Sequence, residues 1–223
     1  MNIIELTKTG TAQIRLSKLS DEMSRFTREN FDKMFEMHPE NRGRVLMRNN
    51  EVESSRWHQS YLNTPKFKEE VHGERSYMYS GREPVVQDLP QEFRRVLDYF
   101  NELETTGEEK YNQVIVNWYL NGNDYTAAHS DCEIDMVENA PIVIISIQGK
   151  TDDHLNRTLV VKPQLYFRQQ GGDYIHEKYD ILMPHGTVVE MCGDMQQKFT
   201  HKLPKESPEF PPRISITLRK FKV

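Results

Sequence analysis

The spacing of hydrophobic residues changes near residue 110. Before that point, apolar residues recur at helical spacing in two segments, 19–38 and 91–105. After it, short apolar stretches rich in β-branched residues are separated by turn residues. These predicted strands cover residues 112–120, 140–149, 157–162, 164–169, 179–183, 186–192 and 213–221. Helices followed by strands indicate an α+β fold, in which N-terminal helices buttress a β-sandwich or jelly roll.

Length and composition limit what kind of protein this is. A chain of 223 residues suits one structural domain, and we expect residues 1–110 to form an N-terminal extension packed on a core of residues 111–223. The longest apolar stretch, 141–147, is too short to span a membrane. No apolar leader is visible, and the two cysteines cannot form a disulfide framework. We therefore expect a monomeric intracellular protein, in the nucleus or cytoplasm, without membrane contact.

Charge gives a weaker indication. The net charge of -5 at pH 7 argues mildly against a large nucleic-acid footprint. Any contact with a polyanion would use local basic segments, of which 41–48, with three arginines and no acidic residue, is one. A solvated surface explains such a segment equally well.

The tripeptide His129-Ser130-Asp131 is a candidate metal site. Residues i and i+2 of a strand point to the same side, so His129 and Asp131 would offer one nitrogen and one oxygen to a metal. A third ligand must come from elsewhere in the chain. The candidates are His154, His176, His185 and His201. Two histidines and one carboxylate leave coordination positions open, which is typical of non-haem iron that binds a co-substrate and dioxygen.

The last predicted strand alternates strictly. One face carries Arg213, Ser215, Thr217 and Arg219, and the other carries Ile214, Ile216 and Leu218. If the polar face meets solvent, the arginines are an ordinary charged exterior. If it lines a cavity, the arginines require an anionic guest, since an unpaired buried charge is costly. A dicarboxylate fits, because guanidinium groups match carboxylates with two parallel hydrogen bonds.

Four ordered segments carry a family resemblance. They are NWYLNGNDYTAAHSDCE (117–133), PIVIISIQG (141–149), HGTVVEMCGDMQQKFTHKLPK (185–205) and RISITLR (213–219). In this order they resemble the AlkB family of iron(II)/2-oxoglutarate-dependent dioxygenases, weakly before residue 111 and strongly after it. The resemblance implies a double-stranded β-helix, or jelly-roll, core behind N-terminal helices.

The resemblance also implies roles for individual residues. The implied iron ligands are His129, Asp131 and His201. The residues implied to bind 2-oxoglutarate are Arg213 at its far carboxylate, Arg219 near its keto-acid end, and Asn117 and Tyr119 through hydrogen bonds. Such an oxidoreductase converts 2-oxoglutarate and dioxygen to succinate and carbon dioxide while it oxidises a substrate C–H bond. When the oxidised carbon is an N-methyl group, formaldehyde leaves.

Two segments bear on the substrate. SYMYSG (76–81) is similar to a stretch of the family members that act in DNA repair or RNA demethylation. By that likeness Tyr79 would stack on a flipped base, and Tyr77 would lie near Glu133 at the base edge. A core strand with aromatic packing is the alternative explanation of this segment.

A substrate lid is expected within residues 39–75. There SRWHQSY (55–61) resembles the lid of the family, which places Arg56 and Tyr61 against the substrate. The match is incomplete, because Ser55 replaces the proline of the family pattern and Leu62 replaces its glycine. The register of the lid is therefore open.

Three functions are compatible with these observations. The first is a demethylase of N-alkylated bases in DNA or RNA, favoured by 76–81 and Glu133. The second is a dioxygenase of the same fold acting on a protein side chain or a small molecule, which the acidic charge favours. The third is a jelly-roll binding module that holds a metal without turnover.

Overall fold

Two antiparallel sheets lie face to face in the computed structural model, which describes residues 1–47, 50–62, 88–104, 110–134, 136–149 and 155–222. The strands are β1 Asn2–Glu5, β2 Ala12–Lys18, β3 Arg44–Met47, β4 Asn50–Glu53, β5 Trp57–Leu62, β6 Gln113–Tyr119, β7 Thr126–His129, β8 Ile142–Gln148, β9 Thr158–Pro163, β10 Tyr179–Leu182, β11 Thr187–Gly193, β12 Phe199–Leu203 and β13 Arg213–Arg219. The helices are α1 Asp21–Glu29, α2 Phe31–Glu36, α3 Gln91–Leu103, α4 Leu165–Gln169 and α5 Met195–Lys198.

The strand order identifies the fold. The larger sheet has the order β1-β2-β11-β8-β13-β6-β5, the smaller sheet has the order β10-β9-β12-β7, and β3 pairs with β4. Residues from the inner faces of the two large sheets form one apolar core, which includes Ile144, Val161 and Phe199. This arrangement confirms the predicted jelly roll.

A second apolar core lies on the outer face of the larger sheet, where the N-terminal helices pack. Helix α3 buries one face, with Phe93, Val96, Leu97 and Phe100, against strand residues such as Trp118. Phe93 meets the Trp118 ring edge to face at 5.9 Å. None of the described helices combines the length and the apolarity needed to cross a bilayer.

The predicted helix over 19–38 consists of two helices. Ser20 caps α1 as expected, since its side chain accepts a hydrogen bond from the backbone N–H of Met23. Asn30 then ends α1 because its side-chain amide donates to the Phe26 carbonyl at 2.9 Å, which competes with helical continuation.

The predicted strand over 164–169 is wrong, because these residues form the short helix α4. Pro163 ends β9, and the Gln164 side chain is engaged by Ser130 and by the Gln196 carbonyl. Leu165 and Tyr166 are exposed, so their side chains gain no packing against a sheet that would favour an extended conformation.

The N-terminal segment contributes strands as well as helices. β1, β2 and β5 are hydrogen-bonded into the same sheet as β6, β8, β11 and β13. The division at residue 110 stays a prediction, but a sheet built from both sides of it agrees with one structural domain.

His185 joins the larger sheet to α1. Its Nδ1 accepts a hydrogen bond from the backbone N–H of Gln148 at 3.1 Å, so its Nε2 carries the proton and donates to the Ser24 carbonyl at 2.9 Å. Burial lowers the pKa of His185. Both ring nitrogens are occupied by these bonds, so His185 serves the fold.

We expect a pH-dependent contribution of His185 to stability. An unfolded histidine titrates near 6.5, with a pKa above that of the folded imidazole, so the contribution is complete above about pH 6.5 and is lost as the pH falls below it. The difference in free energy of unfolding between the native chain and His185→Gln should therefore shrink from pH 8 to pH 5, by at most about 1.4 kcal/mol per pH unit. Urea unfolding at both pH values measures it. A difference independent of pH would contradict the assignment.

Candidate metal centre

Three potential metal ligands converge between the two sheets. The ligand atoms of His129, Asp131 and His201 all lie within 4.8 Å of one another. His129 ends β7 and His201 lies in β12, and the antiparallel register places their Cα atoms directly opposite each other. Asp131 follows two residues after β7 ends, so the expectation that one strand carries both His129 and Asp131 holds for His129 alone.

The two imidazoles present nitrogen lone pairs. His129 Nδ1 donates to the Ala127 carbonyl at 2.9 Å, so in the neutral ring the lone pair lies on Nε2, which is 3.7 Å from Asp131 Oδ1. His201 is buried, and among the described residues its Nδ1 has no hydrogen-bond partner. Burial, followed by the nearby His129, lowers the pKa of His201 to about 3. The ring of His201 is thus suited to the neutral form that binds metals.

Asp131 is held as a carboxylate. Its Oδ1 accepts a hydrogen bond from Arg219 Nη2 at 2.5 Å. Burial alone would raise the pKa of Asp131, but Arg219 and the two imidazoles outweigh burial and hold this pKa below its ordinary value. The backbone N–H of Asp131 donates to Gln196 Oε1 at 2.9 Å, which fixes the chain after β7.

The donor set fits iron(II). Two imidazole nitrogens and one carboxylate oxygen, gathered on one side of a cavity, form the facial arrangement that leaves coordination positions free for other molecules. The orphaned Nδ1 of the buried His201 is also consistent with a ring that has a further partner.

The cavity beside this centre is lined by both sheets. The lining includes Asn117, Tyr119, Thr126, Leu159, Met183, Lys202, Ser215 and Thr217, besides the three candidate ligands. Arg213 lines it too, is only 2% exposed, and donates through Nε to Ser146 Oγ at 2.9 Å. Within the part of the chain that the structure describes, no acidic side chain forms an ion pair with Arg213. This wall therefore offers an uncompensated cation.

Cross-strand register arranges the polar wall. Arg213 lies opposite Tyr119 of β6 on one side and opposite Gln148 of β8 on the other. The guanidinium carbon of Arg213 is 5.4 Å from the centre of the Tyr119 ring. The Tyr119 hydroxyl is 2.8 Å from Thr126 Oγ1.

Arg56 and Asn117 form one polar pair on the cavity wall. Arg56 Nε donates to Asn117 Oδ1 at 2.7 Å, and both side chains line the cavity. Arg56 therefore faces the cavity beside a residue expected to bind the co-substrate, and its contact with a substrate stays a prediction.

The structure does not place Tyr61 against the cavity, which corrects the expected substrate contact. Tyr61 is buried among apolar residues behind the larger sheet, with its ring 6.1 Å from that of Phe93. Its register partner in β6 is Val114, which belongs to the same core. This face of β5 points toward the helices, away from the cavity.

The other expected substrate residues lie elsewhere. Glu133 is half-buried two residues beyond Asp131, and burial raises its pKa. Tyr77 and Tyr79 lie outside the described residues. Of the other histidines considered as the third ligand, His176 is exposed and His185 is engaged by α1, so neither joins the cluster, and His154 also lies outside the described residues.

Sequence patterns missed several residues that shape the site. Gln196 binds the Asp131 backbone and Ser146 binds Arg213, from segments distant in sequence. Gln164 Nε2 donates to Ser130 Oγ at 2.9 Å, and Ser130 donates in turn to the Phe199 carbonyl. The one local sign was a pair of glutamines in the turn between two apolar strands, before His201.

Known proteins provide independent evidence. A model of the 2OG-Fe(II) oxygenase superfamily matches residues 21–219. Alpha-ketoglutarate-dependent dioxygenase alkB homolog 3 of Bos taurus is 30% identical over 149 residues, which cover 66% of this chain and 49% of that protein. DNA oxidative demethylase ALKBH2 of Bos taurus is 24% identical over 116 residues, which cover 51% of this chain and 38% of that protein. These relatives confirm the resemblance to the AlkB family.

The fold has a counterpart among solved structures. The structure of OsALKBH1 matches 94% of this chain and 96% of its own, with a TM-score of 0.51 and 12% sequence identity. At this identity the match supports the jelly-roll fold alone. The chain spans about half the length of the first curated relative described above.

The geometry predicts that His129 is required for metal binding. His129→Ala should weaken cobalt(II) or iron(II) binding by at least about a hundredfold, since loss of residues that merely support ligands costs 10–100-fold. Because His129 is 41% exposed, the variant should remain folded. Anaerobic titration with cobalt(II), followed by visible absorption, measures the affinity. The exposed His176→Ala is the matched control, and equal affinity in the two variants would exclude His129 as a ligand.

Proposed function

Because this chain belongs to the 2OG-Fe(II) oxygenase superfamily, we propose that it is an iron(II)- and 2-oxoglutarate-dependent dioxygenase that demethylates N-alkylated bases in nucleic acid. The observation that carries the proposal is the joint position of two features on one cavity. These are the His129, Asp131 and His201 cluster and the uncompensated Arg213.

The iron would be held by His129 Nε2, the Asp131 carboxylate and a ring nitrogen of His201. When bound, iron supplies the activation of dioxygen that couples conversion of 2-oxoglutarate to succinate and carbon dioxide with oxidation of a substrate C–H bond. Arg219 keeps Asp131 ionised through its hydrogen bond. Gln196 holds the Asp131 backbone in place.

The co-substrate would lie between the iron and Arg213. Arg213 would pair with its far carboxylate, because a buried guanidinium without an acidic partner strongly favours an anion. Tyr119 and Asn117 would donate or accept hydrogen bonds along the molecule, and Arg219 would lie near its keto-acid end. The burial of Arg213, Tyr119 and His201 excludes bulk water from this end of the cavity.

Nucleic acid is the substrate class best supported. Two relatives are named as an alkB homolog and a DNA oxidative demethylase, and Glu133 is close in sequence to the metal ligands. Contact of Tyr77, Tyr79, Glu133 and Arg56 with a flipped base stays a prediction. An intracellular location, in nucleus or cytoplasm, agrees with two unpaired cysteines.

Product analysis tests the proposal. We expect the iron-loaded protein to release succinate from 2-oxoglutarate, and to release formaldehyde when given N-methylated single- or double-stranded DNA or RNA oligonucleotides. Formaldehyde from methylated peptides alone would favour the protein-directed dioxygenase, for which the net charge of -5 is the supporting observation. Binding of iron and 2-oxoglutarate without succinate release would instead identify a binding module.

Arg213 is predicted to set the requirement for 2-oxoglutarate. Arg213→Ala should raise the concentration for half-maximal succinate release by roughly 30-fold or more, because truncating one partner of a buried charge pair costs about 2–5 kcal/mol. Steady-state succinate assays over a 2-oxoglutarate series measure it. Arg15→Ala, on the far strand β2, removes the same charge without touching the cavity and should leave the requirement unchanged. An unchanged requirement in Arg213→Ala would remove Arg213 from the co-substrate site.

A further inference from the structure

A second buried arginine lies behind the cavity wall. Arg157 immediately precedes β9 and is 1% exposed. It does not line the cavity, and sequence motifs did not single it out. Burial of so large a charged side chain requires that its hydrogen bonds and its charge be accounted for.

The hydrogen bonds of Arg157 join two segments of the site. Its Nη1 donates to the Asn121 carbonyl at 3.2 Å, and its Nη2 donates to the carbonyls of Asp124 and Pro204 at 2.7 and 2.6 Å. The turn 121–124 connects β6, which carries Asn117 and Tyr119, to β7, which carries His129. Pro204 directly follows β12, which carries His201. One guanidinium group therefore ties together the ends of three strands that build the site.

The charge of Arg157 is not neutralised by these bonds, because all three acceptors are neutral carbonyls. Among the residues that the structure describes, no carboxylate forms an ion pair with Arg157, and its Nε has no hydrogen-bond partner. The nearby Asp124 carboxylate is already bound by Arg42, at 2.5 and 3.2 Å, and by the backbone N–H of Leu120. Burial lowers the pKa of Arg157, and the charges of Glu206 and Asp124, together with Tyr119, oppose this effect only in part. Arg157 therefore remains a cation whose charge is partly offset from a distance.

Arg157 and Arg213, which have no directly bound carboxylate among the described residues, lie beside the same ring. The guanidinium carbon of Arg157 is 5.7 Å from the centre of the Tyr119 ring, and that of Arg213 is 5.4 Å from it. Burial lowers the pKa of Arg213 to about 10, and the charge of Arg157 contributes to this effect. Two cations in mutual repulsion at one end of a cavity favour an anionic guest more strongly than one cation does.

We propose that Arg157 is a positioning residue for the co-substrate, which selects a dicarboxylate by holding Tyr119 and the turn 121–124 in place and by adding its charge to that of Arg213. This inference rests on the proposed function, since it concerns the same diacid. It concerns a residue beyond those that would touch the diacid.

Selectivity between two keto acids tests the charge. 2-Oxopentanoate matches 2-oxoglutarate except that a methyl group replaces the far carboxylate. The dissociation constant of 2-oxopentanoate divided by that of 2-oxoglutarate therefore reports recognition of that carboxylate. Anaerobic calorimetric titration of the iron(II)-loaded protein measures both constants without turnover. The neutral replacements Arg157→Gln and Arg157→Met should each lower the ratio roughly tenfold, by weakening 2-oxoglutarate alone, as expected for one charge acting at an effective dielectric of about 20.

Matched variants separate charge from structure. Arg157→Lys keeps the charge and should stay within about threefold of the native ratio, although its ammonium cannot reproduce the planar fork. Arg95 lies on α3 and forms an exposed ion pair with Glu22 of α1. Arg95→Gln removes one charge far from the cavity and should not change the ratio. Gln and Met meet the three carbonyls differently, so the test survives misfolding of either neutral variant.

The outcomes distinguish this inference from the proposed function. A native ratio in the folded neutral variants, or equal weakening of both keto acids, would overturn the role of Arg157 in selecting the diacid. Absence of 2-oxoglutarate binding to the native iron(II)-loaded protein would overturn the proposed function itself.

Discussion

Two guanidinium groups, those of Arg213 and Arg219, project from the inner face of a strand in which every residue is buried. Burying an unpaired cation is costly, and the two guanidinium groups differ in whether the protein supplies an acidic partner. Arg219 is bound to Asp131, so that the protein itself stabilises the ionised form of a candidate metal ligand. Arg213 has a serine hydroxyl and a tyrosine ring as neighbours and no described acidic partner. The same strand therefore supports the candidate metal centre at one end and carries a cation without a described acidic partner at the other.

The jelly roll supplies the distances that this division of roles needs. The smaller sheet brings His129 and His201 face to face through strand register, and the larger sheet brings Arg213 between Tyr119 and Gln148 through the same kind of register. Of the three candidate ligands, Asp131 alone lies outside a strand, and Gln196 fixes its backbone through a hydrogen bond. Where a sheet ladder does not position a ligand, side-chain hydrogen bonds from neighbouring segments replace it.

The sequence predicted those features whose information is local. Alternation in 213–219 predicted the polar and apolar faces of β13, and both faces are found as expected. The lid motif did not predict which face of the sheet Tyr61 occupies. That face depends on the register of β5 with β6, which the motif does not encode. Arg157 and Gln196 escaped prediction for a related reason: Asp124 lies 33 residues from Arg157 along the chain, and Asp131 lies 65 residues from Gln196. The strand prediction for 164–169 was wrong because Pro163 ends β9 and hydrogen bonds of the half-buried Gln164 side chain hold the chain in a helical turn.

Solvent exposure differs sharply among the three candidate ligands, so the centre has one open side and one closed side. His129 is 41% exposed, whereas the side chain of Asp131 is 7% exposed and His201 is 5% exposed. Among the three candidate ligands, His129 therefore marks the side of the centre that the described residues leave most open to a large substrate. The opposite end of the cavity, closed by Arg213 and Tyr119, admits only a small molecule. Under the proposed function, a large substrate would cover the open side, so the small diacid would enter first and the co-substrate would bind before the large substrate.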